Sequence, residues 1–214
     1  MPKIGVFDSG IGGEAIAAAL RRALPDATIV TKSDTKHVPY GDKTPEEVLG
    51  FVLPLLEELA QDGCDIIVVA CNTVTTHHIA TLRAQISVPL VGIEPMVKSA
   101  SEQTKSGIIA VCATPATLAS PRYADLKQQY AKDLMILEPD CSAWAYMIEH
   151  NTVNVQHIRE QIEALCNAGA DVIVLGCTHY IWIEQLIEET TQGRALVLQP
   201  EEAIIRRIRE LLEH

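Results

Sequence analysis

DVIVLGCTHY, residues 171–180, opens as an apolar, β-branched run and breaks off in glycine, cysteine, threonine, histidine and tyrosine. A run such as Val172–Leu175 shows no polar alternation. It reads as a strand covered on both faces, as in a parallel sheet between helices. Residues just past the end of such a strand lie where open α/β sheets gather their chemistry. The stretch also has a twin: residues 57–71 read EELAQDGCDIIVVAC and residues 163–177 read EALCNAGADVIVLGC. Glu57, Leu59, Gly63, Asp65, Ile67, Val68 and Cys71 match Glu163, Leu165, Gly169, Asp171, Ile173, Val174 and Cys177. A helix end, a glycine cap, a buried strand and a terminal cysteine therefore occur twice.

The 214 residues suffice for one large domain or two small ones, and a hydrophobic fraction of 48% allows a substantial core. Aromatics make up only 4%, so that core is aliphatic, as in helix-covered parallel sheets. A formal charge of −11 argues against a nucleic-acid surface. It also requires an anionic substrate to be held by local amides and dipoles, against the overall field. The chain opens directly into a strand, so no secretory leader is expected, and no apolar run is long enough for a membrane span. The six cysteines (64, 71, 112, 141, 166 and 177) are expected to be reduced thiols of a cytoplasmic protein.

Strands are expected at Lys3–Phe7, Ala27–Lys32, Asp65–Ala70, Ser87–Val91, Gly107–Cys112, Asp133–Leu137, Val172–Leu175 and Ala195–Leu198. Asp8-Ser9-Gly10-Ile11-Gly12-Gly13 is a glycine-rich turn into a helix over Glu14–Leu24. Such a turn offers unpaired N–H groups to an anion, although the spacing is neither a dinucleotide fingerprint nor a P-loop. Thr44, Pro45 and Glu47 predict a capping box for a helix reaching Gln61, with Pro54 a kink or break inside it. Further helices are expected at about 75–85, 96–105, 123–132, 142–150, 154–168, 181–191 and 201–212. This alternation predicts parallel sheets. The halves divide near residue 98: a first domain over 1–98, a second over 99–200, and a C-terminal helix over 201–214 packing back on the first.

Two halves that each end a central strand in cysteine suggest a pseudo-twofold pair, with thiols facing each other across a cleft between domains. That arrangement suits racemisation. One group removes a proton from one face of a carbon, and the other delivers a proton to the opposite face. A thiol, with an ordinary pKa of about 8.5, can be tuned toward working pH by a dipole or charge. The first turn of a helix after each strand is expected to lower the thiolate pKa. His179 can do the same or relay a proton. Asp8 would raise a neighbouring thiol, so it reads as an acceptor that orients the thiol or a substrate ammonium.

Six stretches in order, FDSGIGG (7–13), SDTKHVPYG (33–41), VACNT (69–73), IEP (93–95), ATPAT (113–117) and LGCTHY (175–180), give the chain its resemblance to a known family. It resembles the cofactor-independent aspartate/glutamate racemase superfamily, and within it the glutamate racemases, over nearly its whole length. The resemblance implies an α/β fold of two pseudo-symmetric domains with the active site in the interdomain cleft. It implies no cofactor and no metal. Cys71 and Cys177 become the catalytic pair, Cys71 acting on the D-enantiomer and Cys177 on the L-enantiomer, with Asp8 and His179 as auxiliary groups. Ser9, Pro39, Tyr40, Gly41, Asn72, Thr73, Thr114, Thr117 and Thr178 match the substrate-binding residues. Glu149 matches an acid that follows a Cys-Pro loop in relatives. The resemblance further implies glutamate as substrate, a homodimer, a cytoplasmic location, no nucleic-acid or membrane partner, and D-glutamate supply for peptidoglycan. The chain departs from the family pattern at Ile181 and Ser142, where proline is usual, and at Glu14 after the glycine turn. It is also shorter around residues 140–157. These departures bear on the cleft lining, the dimer contacts and the size of substrate.

Other readings stand beside these. Aspartate or another acid handled by a two-cysteine relative, such as a hydantoin racemase or maleate isomerase, is a second enzymatic reading. A silent relative that binds an acidic amino acid or a protein is a third. Cys64, Cys112 and Cys166 read as packing cysteines, and Cys141 as structural. His77 and His78 read as an exposed or cleft-edge helix face, and Trp144 and Trp182 as core or interface residues. Cys71, His77, His78, Cys177 and His179 lack zinc-site spacing.

Overall fold

The computed structural model describes residues 1–40 and 43–213. One or more helices separate each strand from the next. β1 (Lys3–Asp8), α1 (Gly12–Ala23), β2 (Thr28–Ser33), α2 (Pro45–Gln61), β3 (Ile66–Val69), α3 (Asn72–Gln85) and β4 (Leu90–Gly92) come first. α4 (Val97–Gln103), β5 (Ile108–Ala113), α5 (Pro115–Leu118), α6 (Pro121–Tyr130), β6 (Met135–Leu137), α7 (Trp144–Glu149), α8 (Val155–Asn167) and β7 (Val172–Gly176) follow. A 3₁₀ turn over Thr178–Ile183, then α9 (Glu184–Thr191), β8 (Leu196–Leu198) and α10 (Glu201–Leu212) complete the chain.

The strands form two four-stranded sheets, ordered β2-β1-β3-β4 and β6-β5-β7-β8, and every pairing is parallel. The two orders are the same order. In each, the chain builds outward on one side of its first strand, then crosses and builds on the other. The reversal falls between β1 and β3 in one sheet and between β5 and β7 in the other. Loops diverge to opposite faces there and leave a crevice at the carboxyl ends of the strands. Register brings Phe7 beside Val69, and Ala113 beside Gly176. Asp8-Ser9 and Cys71 therefore leave their sheet side by side, as do Thr114 and Cys177 in the other.

Two compact units carry these sheets: Met1–Glu94 together with the segment from Pro200 onward, and Pro95–Gln199. The core of the first is built from α2, α3 and the strand residues Phe7, Ile67, Val69 and Leu90. The core of the second gathers Val97, Ile109, Val111, Tyr123, Leu126, Val172 and Val174. Both central strands are entirely buried, which accounts for their unbroken apolar runs. α10 buries Ile204 and Ile208 and lies against α1 and β4.

The repeated residues outside the strands do matching work. Gly63 and Gly169 sit at φ 78 and 92, a backbone region that side chains with a Cβ disfavour. Past each helix end, Cys64 N–H donates to Leu59 O and Ala170 N–H to Leu165 O, closing the last carbonyls. Asp65 and Asp171 bind the chain leading into the neighbouring strand. Lys3 N–H donates to Asp65 at 2.8 Å, and Lys105 and Ser106 N–H each donate to Asp171 at 2.7 Å. The Thr44 capping box forms. α2, however, runs as one helix through Pro54 without a break, because four buried side chains (Val48, Val52, Leu56 and Leu59) hold both halves against the core.

Candidate active site

In the first unit β1 delivers Asp8 and Ser9, and β3 delivers Cys71, Asn72 and Thr73. α3 begins at Asn72, directly after Cys71, three residues before the expected start. Asn72 and Thr73 look like caps in sequence. Here they occupy the first turn, and Cys71 stands at the cap position in extended backbone, with no full capping hydrogen bond from its side chain. Thr75 sets the helix on the sheet: its hydroxyl donates to Val69 O and accepts from Ile93 N–H, each at 3.2 Å.

Cys71 is 6% exposed. Burial pushes its thiol up to about 12, and Asp8 adds to the push. Val74 and Thr73 N–H groups facing the sulfur, and the Ser9 hydroxyl, pull the other way without prevailing. The expectation that the helix start would net lower this thiol is corrected: the amides act in that direction, but desolvation and a carboxylate outweigh them. Asp8 is 1% exposed and accepts the Gly13 N–H through Oδ2 at 2.8 Å. The Asn72 carboxamide is 97% enclosed, being 3% exposed, and neither its nitrogen nor its oxygen has a hydrogen-bond partner.

Tyr40 is buried at 3% exposure, and its hydroxyl donates to Asp34 at 2.7 Å. His37 Nδ1 lies 2.8 Å from the same carboxylate, and its ring stacks on Phe51 with centroids 3.9 Å apart. The Val38–Pro39 peptide is cis. Burial first, then Asp34, pushes the Tyr40 hydroxyl far above its ordinary range, with Cys71 and Asp8 among the smaller causes. Asp34 was missed as a site residue, although it lies inside the SDTKHVPYG stretch. Its signal is a carboxylate between a strand end and an aromatic hydroxyl. Gly41 lies outside the described residues.

In the second unit Thr114 caps α5, accepting Thr117 N–H at 3.2 Å and donating to Thr117 Oγ1 at 2.9 Å. Cys177 leaves β7 in extended backbone and is 8% exposed. The 3₁₀ turn follows it, and α9 starts at Glu184, so the expected helix from Ile181 is corrected. Tyr180 explains the tighter winding. Its ring is fully buried edge-on to Trp144 at 5.1 Å, and its hydroxyl donates to Cys141 O at 3.0 Å. Only Cys71 thus has an α-helix starting behind it.

His179 Nδ1 lies 3.8 Å from Cys177 Sγ, and His179 Nε2 lies 2.5 Å from Glu149 Oε2. Both side chains of the His–Glu pair are almost fully buried. The carboxylate holds the imidazole in one orientation beside the thiol. The Cys141 and Cys112 thiols share a hydrogen bond, which together with burial raises the Cys141 thiol far above the ordinary range. None of the six cysteines is paired in a disulfide. His78 is buried, not on an exposed face, and Trp182 is 54% exposed, not in the core. No helix among the described residues is long and apolar enough to cross a membrane.

The sequence profile of the Asp/Glu/hydantoin racemase family matches residues 13–208. A glutamate racemase of Pseudomonas syringae pv. tomato is 36% identical over 214 residues, covering 98% of this chain and 78% of that protein. Among solved structures, glutamate racemase isoform RacE1 of Bacillus anthracis superposes with a TM-score of 0.86 at 30% identity, covering 100% of this chain and 82% of that one. Escherichia coli glutamate racemase, in complex with L-glutamate and the activator UDP-MurNAc-ala, gives 0.86 at 25% identity, with 100% and 83% covered.

Proposed function

The chain belongs to the Asp/Glu/hydantoin racemase family, and from that premise we propose that it interconverts L- and D-glutamate with Cys71 and Cys177 as the two acid–base groups. It is an isomerase, an amino-acid racemase. One observation carries the two-thiol reading: the same strand-ending cysteine occurs twice, each beside the reversal point of its own sheet.

In the proposed reaction each of the two thiols serves one face of the α-carbon of glutamate. With L-glutamate, the Cys177 thiolate takes the α-proton and the Cys71 thiol delivers its proton to the opposite face, giving D-glutamate. Cys71 is suited to that role because its thiol, raised to about 12, holds its proton at neutral pH. With D-glutamate the roles exchange. A substrate ammonium beside Asp8 then offsets the carboxylate's opposition to the Cys71 thiolate. On the other side, His179, backed by Glu149, stabilises the Cys177 thiolate and can pass it a proton. The Asn72 carboxamide supplies an unpaired donor and acceptor for the substrate's polar groups. Ser9, Thr73, Thr114, Thr117 and Thr178, with Pro39, Tyr40 and Gly41, complete the proposed substrate shell. Local donors of this kind are needed, since the chain's charge of −11 repels a glutamate anion. We further propose a cytoplasmic homodimer that supplies D-glutamate for peptidoglycan.

The test is incubation with each enantiomer of glutamate and aspartate in D₂O, following circular dichroism and α-deuterium. Glutamate is expected to racemise with deuterium entering at Cα; racemisation of aspartate alone would sink the substrate assignment. Cys71→Ser and Cys177→Ser are each expected to lose net racemisation by at least about a thousandfold, on the scale of removing an acid–base group. Full activity in either variant would remove the two-thiol mechanism. Sedimentation of the protein reads the oligomeric state independently.

A further inference from the structure

α1 is capped in an unusual way. Ile11 occupies its N-cap position in helical backbone geometry and offers no side-chain bond. The open donor of the first turn is taken from five residues back, Gly13 N–H donating to Asp8 Oδ2 at 2.8 Å in a buried setting. Gly13 also leaves the room that this bond needs. A Cβ on Gly13 would lie 2.6 Å from Asp8 Cβ and 3.6 Å from Asp8 Cγ; nonbonded carbons rest at about 3.5–4.0 Å. Torsion does not ask for glycine here. Gly13 is helical and is not among the glycines with positive φ, and alanine would favour a helix by about 1 kcal/mol. What excludes a side chain at this position is Asp8.

We propose that Gly13 is a positioning residue for the chemistry at Cys71: its N–H and its missing side chain together fix where the Asp8 carboxylate stands beside that thiol. The assignment rests on the role proposed for Cys71. The groups acting on Cys71 are Asp8 and Ser9 from the end of β1, the first-turn amides of Thr73 and Val74, and Tyr40 from the loop after β2, with Asp34 behind Tyr40. Tyr40 stays neutral, because burial and Asp34 raise its hydroxyl far above the ordinary range. Asp8 is thus the carboxylate whose placement sets how strongly thiolate formation at Cys71 is opposed.

The experiment reads thiolate directly and needs no turnover, so its outcome does not depend on whether the protein racemises glutamate. Alkylation by iodoacetamide is followed between pH 7 and 9.5, with Cys71 and Cys177 peptides quantified separately by mass spectrometry. Gly13→Ala is expected to raise the Cys71 rate several-fold, toward that of Asp8→Asn, and to leave Cys177 unchanged. In Asp8→Asn, adding Gly13→Ala is expected to give no further rise. An unchanged Cys71 rate in folded Gly13→Ala overturns the proposal. So does an equal rise in the Asp8→Asn background, which would mean that the substitution only loosens the site. Should Gly13→Ala fail to fold, exchange of the Gly13 amide proton decides. It is expected to be at least about tenfold faster in Asp8→Ala than in the unsubstituted protein, and an unchanged rate overturns the proposal.

Discussion

Asn72 is held where a polar side chain is costly. An unpaired buried donor or acceptor destabilises a fold by about 1–3 kcal/mol, and both polar atoms of this carboxamide are in that position. That cost fits the role proposed for Asn72 in holding substrate. Asn72→Ala is therefore expected to leave the unfolding midpoint unchanged or higher, while raising KM for glutamate about tenfold, the equivalent of about 1.4 kcal/mol. Urea unfolding and steady-state kinetics on one preparation check both halves. A clear fall in stability would make the carboxamide a structural group instead. Much at this scale was hidden in the sequence. Cys71 and Cys177 stood out because the repeat marked them. Nothing in the sequence shows that Asp8 reaches forward to Gly13, or that Glu149 meets His179 thirty positions along the chain. Those pairings are made by the packing of separate elements, and no local pattern encodes them.

At the scale of elements the sequence was more open. The strands could be read because burial on both faces forces unbroken apolar runs, and α2 because Thr44, Pro45 and Glu47 write its start. The two misread starts have different causes. After Cys71, Asn72 and Thr73 look like caps yet serve as the first turn. After Cys177, the buried Tyr180 draws the chain into a 3₁₀ turn that periodicity does not announce. The matched pair Asp65 and Asp171 carries a prediction. Partial desolvation works against ionisation of Asp171, but hydrogen bonds from Thr104, Lys105 and Ser106 overcome it and lower its pKa from 3.8 to about 2. A folded-state pKa below the unfolded value contributes stability above about 3.8, which is lost as pH falls toward 2. Asp171→Asn is expected to be less stable at pH 7 by about 0.5–1.5 kcal/mol, the net worth of the weakened bonds from Thr104, Lys105 and Ser106. Its stability is also expected to fall less steeply than that of the unsubstituted protein between pH 4 and 2. Denaturant unfolding at a series of pH values measures both effects.

The whole molecule consists of two units with separate cores, and they differ in how the chain closes them. One is a single continuous segment, Pro95–Gln199, with its own sheet and cluster. That segment expressed alone is expected to give a dispersed amide spectrum and a cooperative unfolding transition; a molten spectrum would count against its independence. The other unit needs both ends of the chain. A segment of 1–94 alone lacks α10, with its buried Ile204 and Ile208, and each such side chain contributes at most about 1.5–3 kcal/mol. Joining α10 to 1–94 through a short linker is expected to restore that difference in denaturant unfolding.

The late return of α10 also orders events during translation. The strands of the first sheet leave the ribosome early, but the helix that covers α1 and β4 is made only after the whole of Pro95–Gln199. At about 5–20 residues per second, the nascent first unit waits roughly 5–25 s with that face bare. The segment that emerges second is the first able to finish folding, and the N-terminal unit completes its packing only when its last helix arrives.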